Sequence, residues 1–304
     1  MTWAGDVVTM LRVAGIEFGV NVHAVPSGRD FAQLVRRADQ LGYDVFAAPD
    51  HLGGLSPFAA LTAAGTISTR LRLRTYVLNT GFWNAALLAR DVATLDLLSG
   101  GRAELGLGAG HMKAEHDAAG LPWQPLHALE HLQLEVRRRL ADEDHQPRPV
   151  QQPVPVLVGA MSGAGLAVAA RHADIVGFAG LHQVAGAPAG TFRVSSAAET
   201  TERVQQVHAL AAGRPYRADV LLQAVVLGAD PAESAAQVAA GAPGLTVEQL
   251  LDSPFVLLAR GAEAAADELR RRQQLYGFDS FTTHQPSLEA LGKVITAYRS
   301  ASSH

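Results

Sequence analysis

The run TLDLLSGGRAELGLGAGH, Thr94 to His111, joins a helix end, a strand and a glycine-rich strand exit. Leu95 and Leu98 lie on one helical face, and the helix stops at Gly100-Gly101, where a left-handed cap costs glycine least. A strand follows at Ala103–Gly108, with Leu105 and Leu107 in alternation, and empties into Gly108-Ala109-Gly110-His111. Such a bare-backbone turn is expected to let a flat or phosphorylated ligand approach main-chain N–H groups.

The same junction of helix, cap and strand recurs outward in both directions. Upstream, Ile16–Val22 reads as a first strand, and Phe31, Leu34, Val35, Ala38 and Leu41 recur at helical spacing before Gly42. Strands at Asp44–Ala48 and Leu71–Leu78 flank a helix that starts at Ser56-Pro57 and runs through Ile67; a further helix spans Ala85–Ser99. Downstream, His111–Trp123 reads as a loop, and Leu126, Leu129, Leu132, Val136 and Leu140 mark a helix that ends in the polar connector Asp142–Pro153. Strands are expected at Val156–Gly159, Ile175–Phe178, Asp219–Val226 and Ser280–Thr283. Helices fall near Gly163–His172, Ala198–Ala212, Pro231–Ala240, Ala262–Tyr276 and Ser287–Ser300.

That alternation predicts an α/β chain with a parallel sheet. A faint repeat points to closure: Arg37-Ala38-Asp39-Gln40-Leu41-Gly42-Tyr43-Asp44 is echoed by Arg272-Gln273-Gln274-Leu275-Tyr276-Gly277-Phe278-Asp279, and more briefly by Ala173-Asp174 before Ile175. Repeated units of one kind suit a (β/α)8 TIM barrel, here one domain over residues 1–304 with loop insertions at its C-terminal face. The rival, an open doubly wound sheet, lacks a dinucleotide fingerprint after the first strand.

Composition narrows the function. With 48% hydrophobic residues, net charge −4 and no cysteine, the chain has neither disulfides nor thiolate chemistry nor cysteine-ligated metals, and no basic stripe for nucleic acid. No apolar run is long enough to cross a bilayer and the N-terminus lacks signal-peptide order, so a cytoplasmic protein without nucleic-acid or membrane partners is expected. His127 and His131 are spaced i, i+4, but Glu130 is misplaced for an H-E-x-x-H site and no third ligand is evident, so no metal is expected. Arg137-Arg138-Arg139 and Arg270-Arg271-Arg272 read as solvated faces near helix C-termini.

In a TIM barrel the active site forms at the C-terminal strand ends. Those ends carry His23, Asp50-His51, Asn79, Gly108 to His111, Gly159 to Gly163, Gly180 to His182, Gln223 and His284. Five of the twelve histidines fall there, a clustering that suits acid–base work near neutral pH.

Asp50-His51, Val77-Leu78-Asn79-Thr80-Gly81-Phe82, the run from Thr94 to His111, and Leu250 to Leu257 (LLDSPFVL) together resemble the bacterial luciferase-like flavin enzymes, in particular the branch that uses the deazaflavin coenzyme F420. The resemblance is densest from Phe18 to Trp123. It implies an oxidoreductase that passes hydride between F420 and a small organic substrate, with reduction of an activated C=C, C=N or carbonyl group expected, in a homodimer. His51 would lie against the cofactor ring as the leading catalytic residue, Asp50 would fix the imidazole tautomer or bond the ring directly, and His111 would supply a proton or bond the cofactor tail. Tyr76-Val77 aligns with a cis peptide behind the ring, and Asn79 would follow on the ring side. Gly108, Ala109 and Gly110 would border the cofactor. Gly159-Ala160-Met161-Ser162-Gly163 would hold its phosphate, although Ala160-Met161 departs from the glycine run usual there and Ser162 serves equally well as a plain helix N-cap. The alternatives are an FMN-dependent luciferase-like monooxygenase, a non-catalytic relative, and a metal-dependent barrel hydrolase, whose His-x-His after the first strand is absent at Val22-His23-Ala24. Sugar phosphates are not expected as substrates, because Lys113 and Lys293, the lysines of the chain, do not stand where the sugar-phosphate dehydrogenases of the branch bind phosphate.

Overall fold

A computed structural model describes residues 15–123, 125–159, 163–188 and 191–301, with backbone alone at 125–127. The chain opens with β1 (Glu17–Asn21), α1 (Gly28–Gln40), β2 (Val45–Ala48), α2 (Pro57–Ile67), β3 (Arg72–Thr75) and the short β4 (Leu78–Asn79). The middle comprises α3 (Ala85–Ser99), β5 (Ala103–Gly108), α4 (Lys113–Ala119), α5 (Pro125–Ala141), β6 (Val156–Gly159), α6 (Gly163–His172) and β7 (Ile175–Phe178). After β7 come a hairpin of β8 (Leu181–Gln183) and β9 (Phe192–Val194), then α7 (Ala197–Ala211) and β10 (Arg217–Leu222). An excursion of β11 (Ala224–Leu227), α8 (Pro231–Gly241), α9 (Val247–Asp252) and β12 (Val256–Ala259) precedes α10 (Gly261–Tyr276), β13 (Ser280–His284) and α11 (Leu288–Ala301).

The sheet runs β3-β2-β1-β13-β10-β7-β6-β5, all parallel, and β5 pairs back to β3 through Leu73↔Ala103 and Arg74↔Glu104. Eight strands therefore close into the expected barrel. Outward residues such as Phe18, Val20, Phe46, Leu73 and Leu105 pack beneath the helices, while Val45, Ala47, Tyr76, Leu157 and Ile175 form a small apolar cluster of their own within the barrel. Among the described residues no helix is long and apolar enough to cross a membrane.

The faint sequence repeat has a structural cause. Asp44, Asp174 and Asp279 each stand just before a strand and accept the backbone N–H of the neighbouring strand's start: Phe18 at 2.9 Å, Val156 at 2.8 Å and Ala218 at 3.2 Å. Strand bottoms leave donors without ladder partners, and a carboxylate one residue ahead of the next strand satisfies them.

Below the mouth the barrel interior is ionic, which the sequence reading missed. Arg74 is fully buried and bonds Glu104 at 2.6 Å and Asp219 at 2.9 Å. Asp219 also receives Tyr76 Oη at 2.5 Å, Thr282 at 3.0 Å and Ser280, and Glu17 meets Arg72 and Arg217 below. Burial works against the Arg74 charge, but Glu104 and Asp219 outweigh it and raise its pKa.

Several expected elements differ. The strand Leu71–Leu78 breaks after Thr75, whose hydroxyl accepts from Gly106 N at 2.7 Å and donates to Gly106 O at 2.9 Å in place of ladder bonds. The Tyr76–Val77 peptide within the break is cis. The strand Asp219–Val226 is likewise two, because Gln223 N turns to Phe255 O at 2.8 Å and β11 leaves the barrel to pair with β12. His111–Trp123 is not all loop but holds α4, stapled by Lys113 and Asp117 at 2.6 Å and ended by Gly120 at φ +67°. Arg272 is no solvated residue: it is buried and donates to Pro254 O and Val256 O, tying α10 to β12.

Candidate active site

β2 delivers Asp50 and His51 to the barrel mouth. Asp50 Oδ2 accepts Trp83 Nε1 at 2.8 Å and Asn79 N at 3.2 Å, and its Oδ1 has no partner among the described residues. Burial raises the Asp50 carboxyl above its ordinary value, opposed by the bonds from Trp83 and Asn79. Asp50 does not hold the His51 ring. That correction follows from the ring's own partner: His51 Nδ1 lies 3.0 and 3.2 Å from the two oxygens of Glu115 on α4, and Leu52 N donates to the same carboxylate at 3.2 Å.

His51 sits between two other imidazoles, edge-to-face with His111 at 5.3 Å and with His23 at 5.8 Å between ring centroids. Burial pushes His111 down from its usual value, and His51 pushes the same way against the opposing charge of Glu115. At the end of β13, two strands around from β2, His284 is lowered by burial and faces Gln223 Oε1 at 3.4 Å. His182 on β8 accepts at Nε2 from Ser195 Oγ at 2.8 Å and Arg203 Nη1 at 3.2 Å; burial, then the Arg203 and Arg193 charges, push it down to about 4. Asn21, at the end of β1, is buried with its Oδ1 unpartnered among the described residues. A buried acceptor without a donor costs free energy unless a ligand or water supplies one.

Other expected site residues turn away from the mouth. The Tyr76 phenol points to Asp219 in the interior. The missing Cβ atoms of the strand exits make room for neighbours rather than for a ligand: a Cβ on Gly108 would lie 2.5 Å from Val77 Cγ2, one on Gly159 3.2 Å from Val77 Cγ1, and one on Gly110 2.5 Å from Asn79 Oδ1. Ala109 packs on the outer core. Asn79 is buried and its amide is spent within the wall, Oδ1 accepting from Gly81 N at 3.2 Å and Nδ2 donating to His116 Nε2 at 3.1 Å. The His116 ring, with Nδ1 on Pro122 O at 3.1 Å, fills the space beside Gly81, Phe82 and Trp123. Val77 alone of this group caps the barrel interior.

Ala160, Met161 and Ser162 lie outside the described residues, as do the side chains of the His127–His131 pair on its His127 side. Gly163 opens α6, where a Cβ would lie 3.4 Å from Gln206 Nε2, which sets α7 against that helix end. Arg203 stands one turn nearer the α7 N-terminus than Gln206. Among the described residues no group of three or more His, Cys, Asp or Glu is placed to hold a metal. Of the residues the sequence reading missed, Glu115 had a usable signal: Lys113 and Asp117 at i, i+4 before Gly120 mark a short helix that carries it to the mouth.

A sequence model of luciferase-like monooxygenases matches residues 10–287. Among characterised proteins, a 5,10-methylenetetrahydromethanopterin reductase of Methanolobus tindarius is 36% identical over 132 residues, 42% of this chain and 38% of that protein. An F420-dependent glucose-6-phosphate dehydrogenase of Kribbella flavida is 35% identical over 118 residues, 36% of this chain and 35% of that protein. The match thus spans little more than a third of these relatives' length. Among solved structures, the coenzyme F420-dependent tetrahydromethanopterin reductase from Methanopyrus kandleri has a TM-score of 0.71 at 19% identity, covering 94% of this chain and 100% of that one. A long-chain alkane monooxygenase has 0.70 at 13% identity, covering 95% and 92%. At such identities the structural likeness speaks for the fold alone.

Proposed function

This chain belongs to the luciferase-like monooxygenase family, and from that membership we propose that it is an oxidoreductase passing hydride between the deazaflavin coenzyme F420 and a small, uncharged organic substrate. The observation that carries the reading is the exit of β2, where Asp50 keeps one carboxylate oxygen and His51 one ring nitrogen without partners among the described residues. The F420 dependence named for the dehydrogenase relative, and for the structural neighbour from Methanopyrus kandleri, supports the choice of deazaflavin over FMN.

The residues present fit such a group. Asp50 Oδ1 and the buried Asn21 Oδ1 are acceptors for ring N–H donors. The start of α6 at Gly163 offers backbone N–H groups to a phosphate. When bound, the deazaflavin supplies a hydride donor at its ring carbon. His51 then gives or takes the accompanying proton at Nε2, with the His111 ring edge-to-face beside it. The substrate class this reading takes is a small organic molecule bearing an activated C=C, C=N or carbonyl group, which the imidazoles at the strand ends can approach as hydrogen-bond donors or acceptors. Lys113 is spent on Asp117 and brings no free cation for a sugar phosphate. The reading includes a cytoplasmic homodimer, with Leu87, Leu97 and Leu98 exposed on α3 as surface to cover.

Titration of the apo-protein with deazaflavin and with FMN, followed by fluorescence, tests the cofactor. Tighter deazaflavin binding is expected; equal or weaker binding overturns the assignment. Oxidation of reduced deazaflavin by a panel of enones and imines tests the substrate class, which efficient reduction of the deazaflavin by glucose 6-phosphate would refute.

A further inference from the structure

Four groups converge where β2 meets α4. The Glu115 side chain is 10% exposed and that of His51 30%, so the carboxylate is the interior member of the pair and the imidazole the one that reaches the mouth. Glu115 is itself held: Oε1 accepts Leu52 N at 3.2 Å, which fixes the carboxylate relative to the backbone that carries His51. The ring meets both carboxylate oxygens through Nδ1 only, at 3.0 and 3.2 Å, and Nε2 has no partner among the described residues. The flanking rings of His23 and His111 approach at 5.8 and 5.3 Å edge-to-face, which confines the plane of His51 without hydrogen-bonding it.

We propose that Glu115 is the positioning residue of this site, holding the His51 proton on Nδ1 so that Nε2 is left as the nitrogen that works in the mouth. A carboxylate can only accept, so the ring nitrogen facing it must carry the proton. The unbound lone pair is then at Nε2, at the opposite end of the ring. For a histidine side chain free in water the neutral form with the proton on Nε2 predominates, so the arrangement reverses the ring's own preference. A tautomer set by the partner of the other nitrogen decides whether an imidazole can accept a proton where the chemistry needs it. Glu115 does this from a different element, 64 residues along the chain.

The idea rests on His51 acting at the mouth, but its first test does not depend on the cofactor. Nitrogen-15 NMR of histidine-labelled apo-protein, at a pH where the imidazole is neutral, reports which ring nitrogen is protonated. Wild type should show His51 with Nδ1 protonated and Nε2 bare. Glu115→Ala should move the proton mainly to Nε2, and Glu115→Gln, which keeps an acceptor oxygen in place, should retain the wild-type pattern. A wild-type ring protonated on Nε2, or a Glu115→Ala spectrum like that of wild type, overturns the proposal. Should the alanine variant fail to fold, the wild-type and glutamine spectra still decide it. With reduced deazaflavin, Glu115→Ala should slow single-turnover hydride transfer roughly tenfold or more at little-changed cofactor affinity, with Glu115→Gln within a few-fold of wild type. A failed titration with deazaflavin would sink the cofactor assignment and leave the NMR result standing.

Discussion

At the residue scale, the side chains of the mouth are sorted by what each already bonds. His51 keeps a nitrogen without a partner among the described residues and is not part of the core, so its loss should touch chemistry more than folding. His51→Ala is expected to lower turnover by ~10²–10⁴-fold under saturating cofactor, the span of a positioned proton donor, with a thermal midpoint close to wild type. Turnover within a few-fold of wild type would remove His51 from the reaction. His182 makes a different prediction. Its folded pKa of about 4 lies below its ordinary 6.5, so between those values the unfolded chain binds a proton that the folded chain does not. Stability therefore rises with pH across that window and is lost as pH falls from 6.5 toward 4. His182→Gln should flatten this part of the curve of thermal midpoint against pH; parallel curves would show that neither burial nor the Arg203 and Arg193 charges hold His182 below its usual value.

At the element scale, the break between β3 and β4 and the glycines of β5 and β6 form one packing unit. Thr75 crosses over Gly106, and Val77 fills the places where Gly108 and Gly159 lack a Cβ. Gly108→Ala should destabilise by ~1–3 kcal/mol through overpacking, and Val77→Ala, harmless or mildly destabilising by itself, should recover much of that loss in the double variant. Additive losses in chemical denaturation would show that the Cβ clashes elsewhere. Gly106→Ala should find no such rescue, since its Cβ would lie 1.9 Å from the Thr75 carbonyl oxygen, a backbone atom. The glycine run that reads as an opening for a ligand is, in the folded barrel, a socket for the protein's own bulge.

At the scale of the whole molecule, barrel closure puts charge where core is expected. Arg74 on β3 meets Glu104 on β5 and Asp219 on β10, partners 30 and 145 residues away. Arg74→Leu would leave Asp219 buried without its cation and Glu104 with Arg72 at 3.0 Å as its remaining close partner, at a cost of ~3–5 kcal/mol, and should lower the thermal midpoint by on the order of 10 °C. Arg37→Ala removes a pair with the same 2.6 Å contact to Glu289, but both side chains are about half exposed, and the midpoint should hardly move. Equal shifts for the two variants would mean that the interior charges are as well solvated as those outside.

Helix and strand periodicity, the cap at Gly100-Gly101 and the aspartates before β2, β7 and β13 make the alternating elements legible in the sequence, because each reports on a single element and its immediate neighbour, while closure into a barrel leans on the family resemblance as well. Asp50-His51 was legible as a strand exit for the same reason. The charged alternation of Arg72-Leu73-Arg74, Ala103-Glu104-Leu105 and Arg217-Ala218-Asp219 was also in plain view, yet a period of two does not say which face is inside until the sheet closes and opposite charges meet. The partner of His51 was beyond any local pattern: Asp50 is adjacent in sequence but turns to Trp83, while Glu115 arrives from α4. Only tertiary structure decides such pairings, since they depend on strand order, register and the path of a connecting helix, which bring together groups whose spacing along the chain carries no period.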